Sequence, residues 1–139
     1  MTAPTTPSHD PRLAWSLLLL RLGVFTVMFV WALDKFVAPD HAAAVFEAFY
    51  FLPGMAPWLL GLVGAVQLAI VLGFVAGIAR TWTYAAVTLM HLVSTLASFP
   101  RYLEPFDNLL FFAAWPMLAA CAALFLLRDH DRLFTLSRR

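Results

Sequence analysis

The chain has 139 residues, 63% of them hydrophobic and 12% charged, with a mean hydropathy of +0.83. This composition excludes an ordinary water-soluble domain and points to a membrane protein. Nine Lys and Arg against eight acids leave a formal charge of +1, without the basic footprint that nucleic acid demands, and the single cysteine, Cys121, excludes an internal disulfide or a CxxC redox pair.

In chain order, MTAPTTPSHDPR (residues 1–12) is Pro- and Thr-rich, lacks the pattern of a cleaved signal peptide and reads as a short disordered cytoplasmic tail. A helix crossing about 30 Å of hydrocarbon needs roughly 20 residues. Residues 13–36, 57–79, 81–99 and 108–127 supply four such segments, separated by Pro, Gly and charged breaks. The expected fold is an all-α integral membrane protein: an antiparallel bundle of four transmembrane helices over residues 13–127, followed by a basic cytoplasmic tail, 128–139. Arg12, Arg21, Arg80, Arg128, Arg132, Arg138 and Arg139 fall on one side, and only Lys35 and Arg101 on the other. That asymmetry places both termini in the cytoplasm. Between the first two spans, Pro39 breaks the chain and Asp40 is placed to cap residues 41–52, a segment too short to cross at about 1.5 Å per residue. Rich in Phe yet carrying Glu47, it is expected as a short interfacial helix or a lid over the outer side.

In the first span, Arg21 lies deep enough that it must snorkel to the headgroups or pair inside the bundle. At 100° per residue it shares a face with Met28, Ala32 and Lys35. Lys35, the chain's only lysine, is expected to pair with Asp107 or Glu104 and close the outer mouth, while Asp34 caps local backbone or meets Arg101. In the second span, Gly61, Ala65, Ala69, Gly73 and Gly77 recur every four residues, a smooth ridge suited to close helix contact within the bundle or, alternatively, between two copies of the chain. Gln67 points away from that ridge and needs a polar partner on another helix or in a cavity. Pro116 is expected to kink the fourth span and release the carbonyl of Phe112.

The third span carries a polar stripe, Tyr84, Thr88, His91, Ser94 or Thr95, and Ser98, at steps of three or four. An ionisable group at His91's depth is a functional candidate by default, as a donor to a quinone carbonyl, a proton relay or a metal ligand. The structural alternative is a bundle histidine held by Gln67, Thr88 or Thr95. One intramembrane histidine cannot provide both axial ligands of a haem, no metal-ligating cluster is present, and Cys121 in AACAA reads as an inert small hydrophobe.

RLG at 21–23, the run into LDKF at 33–36, GIAR at 77–80 and Asn108 at the head of the last helix together resemble the DoxX-like four-helix membrane proteins, over about residues 13–127. The resemblance implies a multi-pass protein of the bacterial inner membrane, often a small subunit or partner in redox systems, some relatives belonging to thiosulfate:quinone oxidoreductases. Where that family often has a glutamate in the second helix this chain has Gln67, and LLRDHDRL replaces a glycine-rich ending. The expected function is therefore a membrane subunit of a quinone-linked redox complex, with His91, Gln67, Thr88 and Thr95 around a quinone, no complete catalytic apparatus of its own, and a protein partner in the bilayer. A cofactor-less structural anchor and a small-solute transporter are the alternatives.

Overall fold

The structure, a computed structural model, describes residues 10–136. Every regular element among them is helical. Helix α1 (Pro11–Val37) opens at Asp10, whose carboxylate accepts from the Arg12 backbone N–H at 2.9 Å, with Pro11 at a position where no N–H is needed. Its buried residues, Leu17, Leu18, Arg21, Val24, Met28, Ala32 and Lys35, follow the helical period and include the whole face expected from sequence. Helix α2 (Pro39–Tyr50) begins on Pro39 itself, with Ala38 as the capping residue and no side-chain cap. Asp40 is thus an acid in the first turn, where the helix dipole favours it, rather than the expected cap.

Helix α3 (Pro57–Val75) and helix α4 (Arg80–Ala97) are joined through Gly77 and Ala79, both with positive φ, and the short α5 (Phe99–Tyr102) closes the far end of α4. A 3-10 segment (Leu109–Ala113) then leads into α6 (Ala114–Leu126). This juncture corrects the expected kink. Pro116 lies in the first turn of α6, where its missing N–H costs little, so the irregularity is the 3-10 segment before it.

Three stretches, Pro11–Val37, Pro57–Val75 and Leu109–Leu126, are long and apolar enough to cross a membrane. Helix α4, with 18 residues, carries the polar stripe and is not among them. Helix α1 packs chiefly on α3 and α4 on α6, while α3–α4 and α1–α6 contacts join the two pairs. Leu17, Val24, Met28, Val71, Phe74, Tyr84, Val87, Cys121 and Leu124 form the shared core.

The small residues of α3 act differently from the expected ridge. Helices α1 and α3 pack tightly at Gly64, where a Cβ would lie 2.8 Å from the Phe36 ring and 3.1 Å from the Lys35 side chain. Gly61 faces open space, Ala65 and Ala69 are exposed, and only Gly73 (against Thr83) and Gly77 (against Thr135) are closely packed. The register is set by Leu60, Gly64, Val71 and Phe74, which turn the middle of the ridge away from the bundle.

After α6 the chain folds back across the ends of α3 and α4. The Leu136 N–H donates to the Ala76 carbonyl at 2.8 Å, and the Arg80 guanidinium donates to the carbonyls of Arg128 and Asp131 at 3.0 and 2.6 Å. Beneath this cover, Arg21 meets the Asp131 carboxylate at 3.0 Å, Tyr84 donates to the same carboxylate at 2.6 Å, and Arg21 also donates to the Leu133 carbonyl. Of its two expected fates, Arg21 takes pairing inside the bundle.

Candidate ligand cavity

A cavity of about 1190 Å³ lies beside α1, between it and the pair α4–α6, with α2 across one end. Its α1 wall runs from Ser16 to Lys35, close to 30 Å at about 1.5 Å per residue. Leu19, Val30 and Trp31 on that wall are exposed, so the cavity opens sideways between helices. Most of the lining is apolar, and the polar side chains gather toward the α2 end and on α3 and α4: Asp34, Lys35, His41, Gln67, His91, Ser94 and Ser98.

Helix α2 is held over this end by aromatic and polar contacts. His41 Nδ1 lies 2.9 Å from the Asp34 carboxylate, the Lys35 ammonium sits 5.7 Å from the Phe46 ring centroid, and Phe49 packs on Phe111 with centroids 5.8 Å apart. The Arg101 guanidinium also lies over the Phe49 ring, 5.6 Å from its centroid. These contacts replace the expected ion pairs. Lys35 donates to the Trp31 carbonyl at 2.9 Å, one turn back on its own helix, and Asp34 engages His41 rather than Arg101. Glu104 and Asp107 are exposed in the loop before the 3-10 segment, where water solvates them without an ammonium partner. The physical reason is reach. The backbone carbonyl on the same helix satisfies Lys35 without drawing the loop inward.

His91 is 1% exposed and lines the cavity. Its Nε2 lies 3.0 Å from the Ala114 carbonyl oxygen at the start of α6, and its Nδ1 has no hydrogen-bond partner. The Trp31 ring stands beside it, centroids 6.0 Å apart. Gln67 also lines the cavity, and its amide makes no hydrogen bond among the described residues. Two polar side chains with unspent hydrogen-bonding capacity thus share a largely apolar cavity, an arrangement typical of small-molecule sites.

Thr88 and Thr95 do not belong to it. Thr88 donates to the carbonyls of Tyr84 and Cys121 at 2.8 and 3.2 Å, stitching α4 to α6, and Thr95 donates to the His91 carbonyl at 2.8 Å while fully buried. A hydroxyl three or four residues from His91 satisfies its own helix, which is the usual outlet for Thr in a helix interior. At the C-terminal end of α4, the Tyr102 hydroxyl donates to the Thr95 carbonyl at 3.1 Å, and desolvation raises it above the ordinary phenol range, so it serves as a neutral donor there. The run of Phe between Pro39 and Pro53 marked α2 in the sequence, whereas Phe111 on the 3-10 segment, which packs against it, carried no signal there. Among the described residues there is no group of three metal-ligating side chains.

No protein-family model, no curated protein and no solved structure matches this chain.

Proposed function

We propose that the chain is a membrane-embedded binding subunit that holds a quinone-type redox carrier in the cavity beside α1, in the manner of a DoxX-like partner of a redox complex. The observation that carries the reading is the coincidence of His91 and Gln67, both with unmet hydrogen-bonding capacity, in a cavity of about 1190 Å³ with apolar walls. A ring headgroup with one or two oxygens satisfies such side chains, and an apolar tail fills the remaining length. The sideways opening suits a ligand that arrives from the lipid. In this reading α4 crosses the membrane as well, as the third of four spans with its polar face turned inward, and both termini are cytoplasmic. The gathering of Arg21, Arg80 and Arg128 at one end of the bundle supports that orientation. In this reading the electrons pass between the bound carrier and a partner chain in the same membrane.

The test is to purify the protein in detergent, extract its lipids and titrate it with a decyl-tailed quinone and the corresponding hydroquinone. Saturable binding at one site per chain is expected, lost when Val27→Trp fills the cavity. Absence of saturable binding by either form would remove the proposal.

A further inference from the structure

The way His91 is held determines what the cavity can accept. A carbonyl oxygen only accepts hydrogen bonds, so the contact between Nε2 and the Ala114 carbonyl puts the ring hydrogen on Nε2. A neutral imidazole with Nε2 protonated has a bare lone pair on Nδ1, and Nδ1 is the buried nitrogen that has no partner. Any group that pairs with Nδ1 must therefore be a donor. His91 lines the cavity while its Nδ1 has almost no accessible surface, so a ligand reaches that atom only when a neighbouring side chain turns aside. Trp31, 45% exposed and with its ring 6.0 Å from the imidazole, is the neighbour placed to give way.

We infer that the cavity selects a ligand whose ring head carries a hydroxyl, donated to Nδ1 of His91; on the quinone-carrier reading, from which this follows, that is the hydroquinone and not the quinone. A quinone carbonyl would face the Nδ1 lone pair with its own lone pair, whereas a phenolic hydroxyl supplies the hydrogen. The remaining polar groups are compatible with a second ring oxygen. The Gln67 amide both donates and accepts, and the Lys35 ammonium spends one of its three hydrogens on the Trp31 carbonyl. Phe46, Phe49 and Phe111 supply flat apolar surface for the ring.

The experiment uses the full-length wild-type protein in detergent, kept anaerobic, and three compounds with one decyl tail: the hydroquinone, the quinone and the hydroquinone dimethyl ether. Each is titrated by equilibrium dialysis. The hydroquinone is expected to bind about tenfold tighter than either of the others, the effect of one hydrogen bond to an otherwise unsatisfied buried acceptor. In His91→Ala, checked for native helicity, the preference should vanish while weak binding through the tail persists. Equal binding of hydroquinone and dimethyl ether, or a quinone that binds as tightly as the hydroquinone, overturns the inference and leaves the carrier reading standing. No saturable binding by any of the three overturns both. The wild-type comparison alone decides the matter, so it stands even where the His91 variant is unstable.

Discussion

Arg21 and Asp131 meet at 3.0 Å with both side chains fully buried, joining the first half of the first helix to the segment that follows the last. Removing one partner leaves a charge uncompensated away from water. Asp131→Ala is therefore expected to destabilise the protein by about 3–5 kcal/mol, and Arg21→Met combined with Asp131→Ala by less than the sum of the single changes. Unfolding of the purified variants in mixed detergent measures both; strict additivity would show that the pair is not coupled.

Gly77 should tolerate no side chain. Its φ is +65°, and an added Cβ would lie 2.6 Å from the Thr135 side chain. Gly77→Ala is expected to cost about 1–3 kcal/mol and to speed proteolysis within residues 127–136. Gly61→Ala, with nothing within 4 Å of its Cβ, should change stability by under about 0.5 kcal/mol. Limited trypsin digestion of the two variants side by side tests the contrast.

Lys35→Met distinguishes the observed contacts from the expected ion pairs. Since Lys35 engages the Trp31 carbonyl and the Phe46 ring, its loss orphans no carboxylate in the loop, and stability should change by less than about 1 kcal/mol. Glu104→Gln and Asp107→Asn should show no coupling to it in double-mutant cycles; a coupling above about 1 kcal/mol would restore the outer-mouth ion pair.

Substitutions around His91 should separate cavity from scaffold. Gln67→Leu is expected to weaken hydroquinone binding about five- to tenfold with little change in unfolding. Thr88→Val should leave affinity within about twofold, because its hydroxyl is spent on the Tyr84 and Cys121 carbonyls. Equilibrium dialysis of both variants reports the difference. A larger loss for Thr88→Val than for Gln67→Leu would put the ligand on the wrong side of α4.

The His41–Asp34 contact ties the lid to α1 but is largely solvated, with His41 68% exposed. His41→Ala should shift global stability by less than about 1 kcal/mol while raising the ligand dissociation rate several-fold, read by stopped-flow competition. An unchanged rate would show that α2 does not retain the ligand.

Helical character, the inward face of α1 and the cavity position of His91 and Gln67 were legible in the sequence because each follows from period and polarity alone. Arg21, Met28, Ala32 and Lys35 fall on one stripe whatever their neighbours are. What escaped depended on contacts between distant segments. The counter-ion of Arg21 lies in LLRDHDRL, a stretch that reads as a basic tail until Asp131 is seen folded under Arg80. The glycine of α3 that packs tightly against α1 is Gly64, outside the four-residue repeat, because the register of α3 is set by Leu60, Val71 and Phe74. Charge pairing was the weakest inference. Lys35 and Asp34 both found partners within seven residues, and nearby groups cost less chain ordering than a distant loop.

The Arg21 contacts also carry a consequence for biosynthesis. The Leu133 carbonyl that receives its guanidinium lies 112 residues further along the chain, and Asp131 is nearly as distant. At translation rates of about 5–20 residues per second, α1 is made on the order of ten seconds before its counter-ion exists. During that interval Arg21 lacks its counter-ion, and the buried contact can close only once the last segment has emerged. A ribosome stalled short of Asp131 would leave all the long helices made and the guanidinium at the heart of that contact uncompensated.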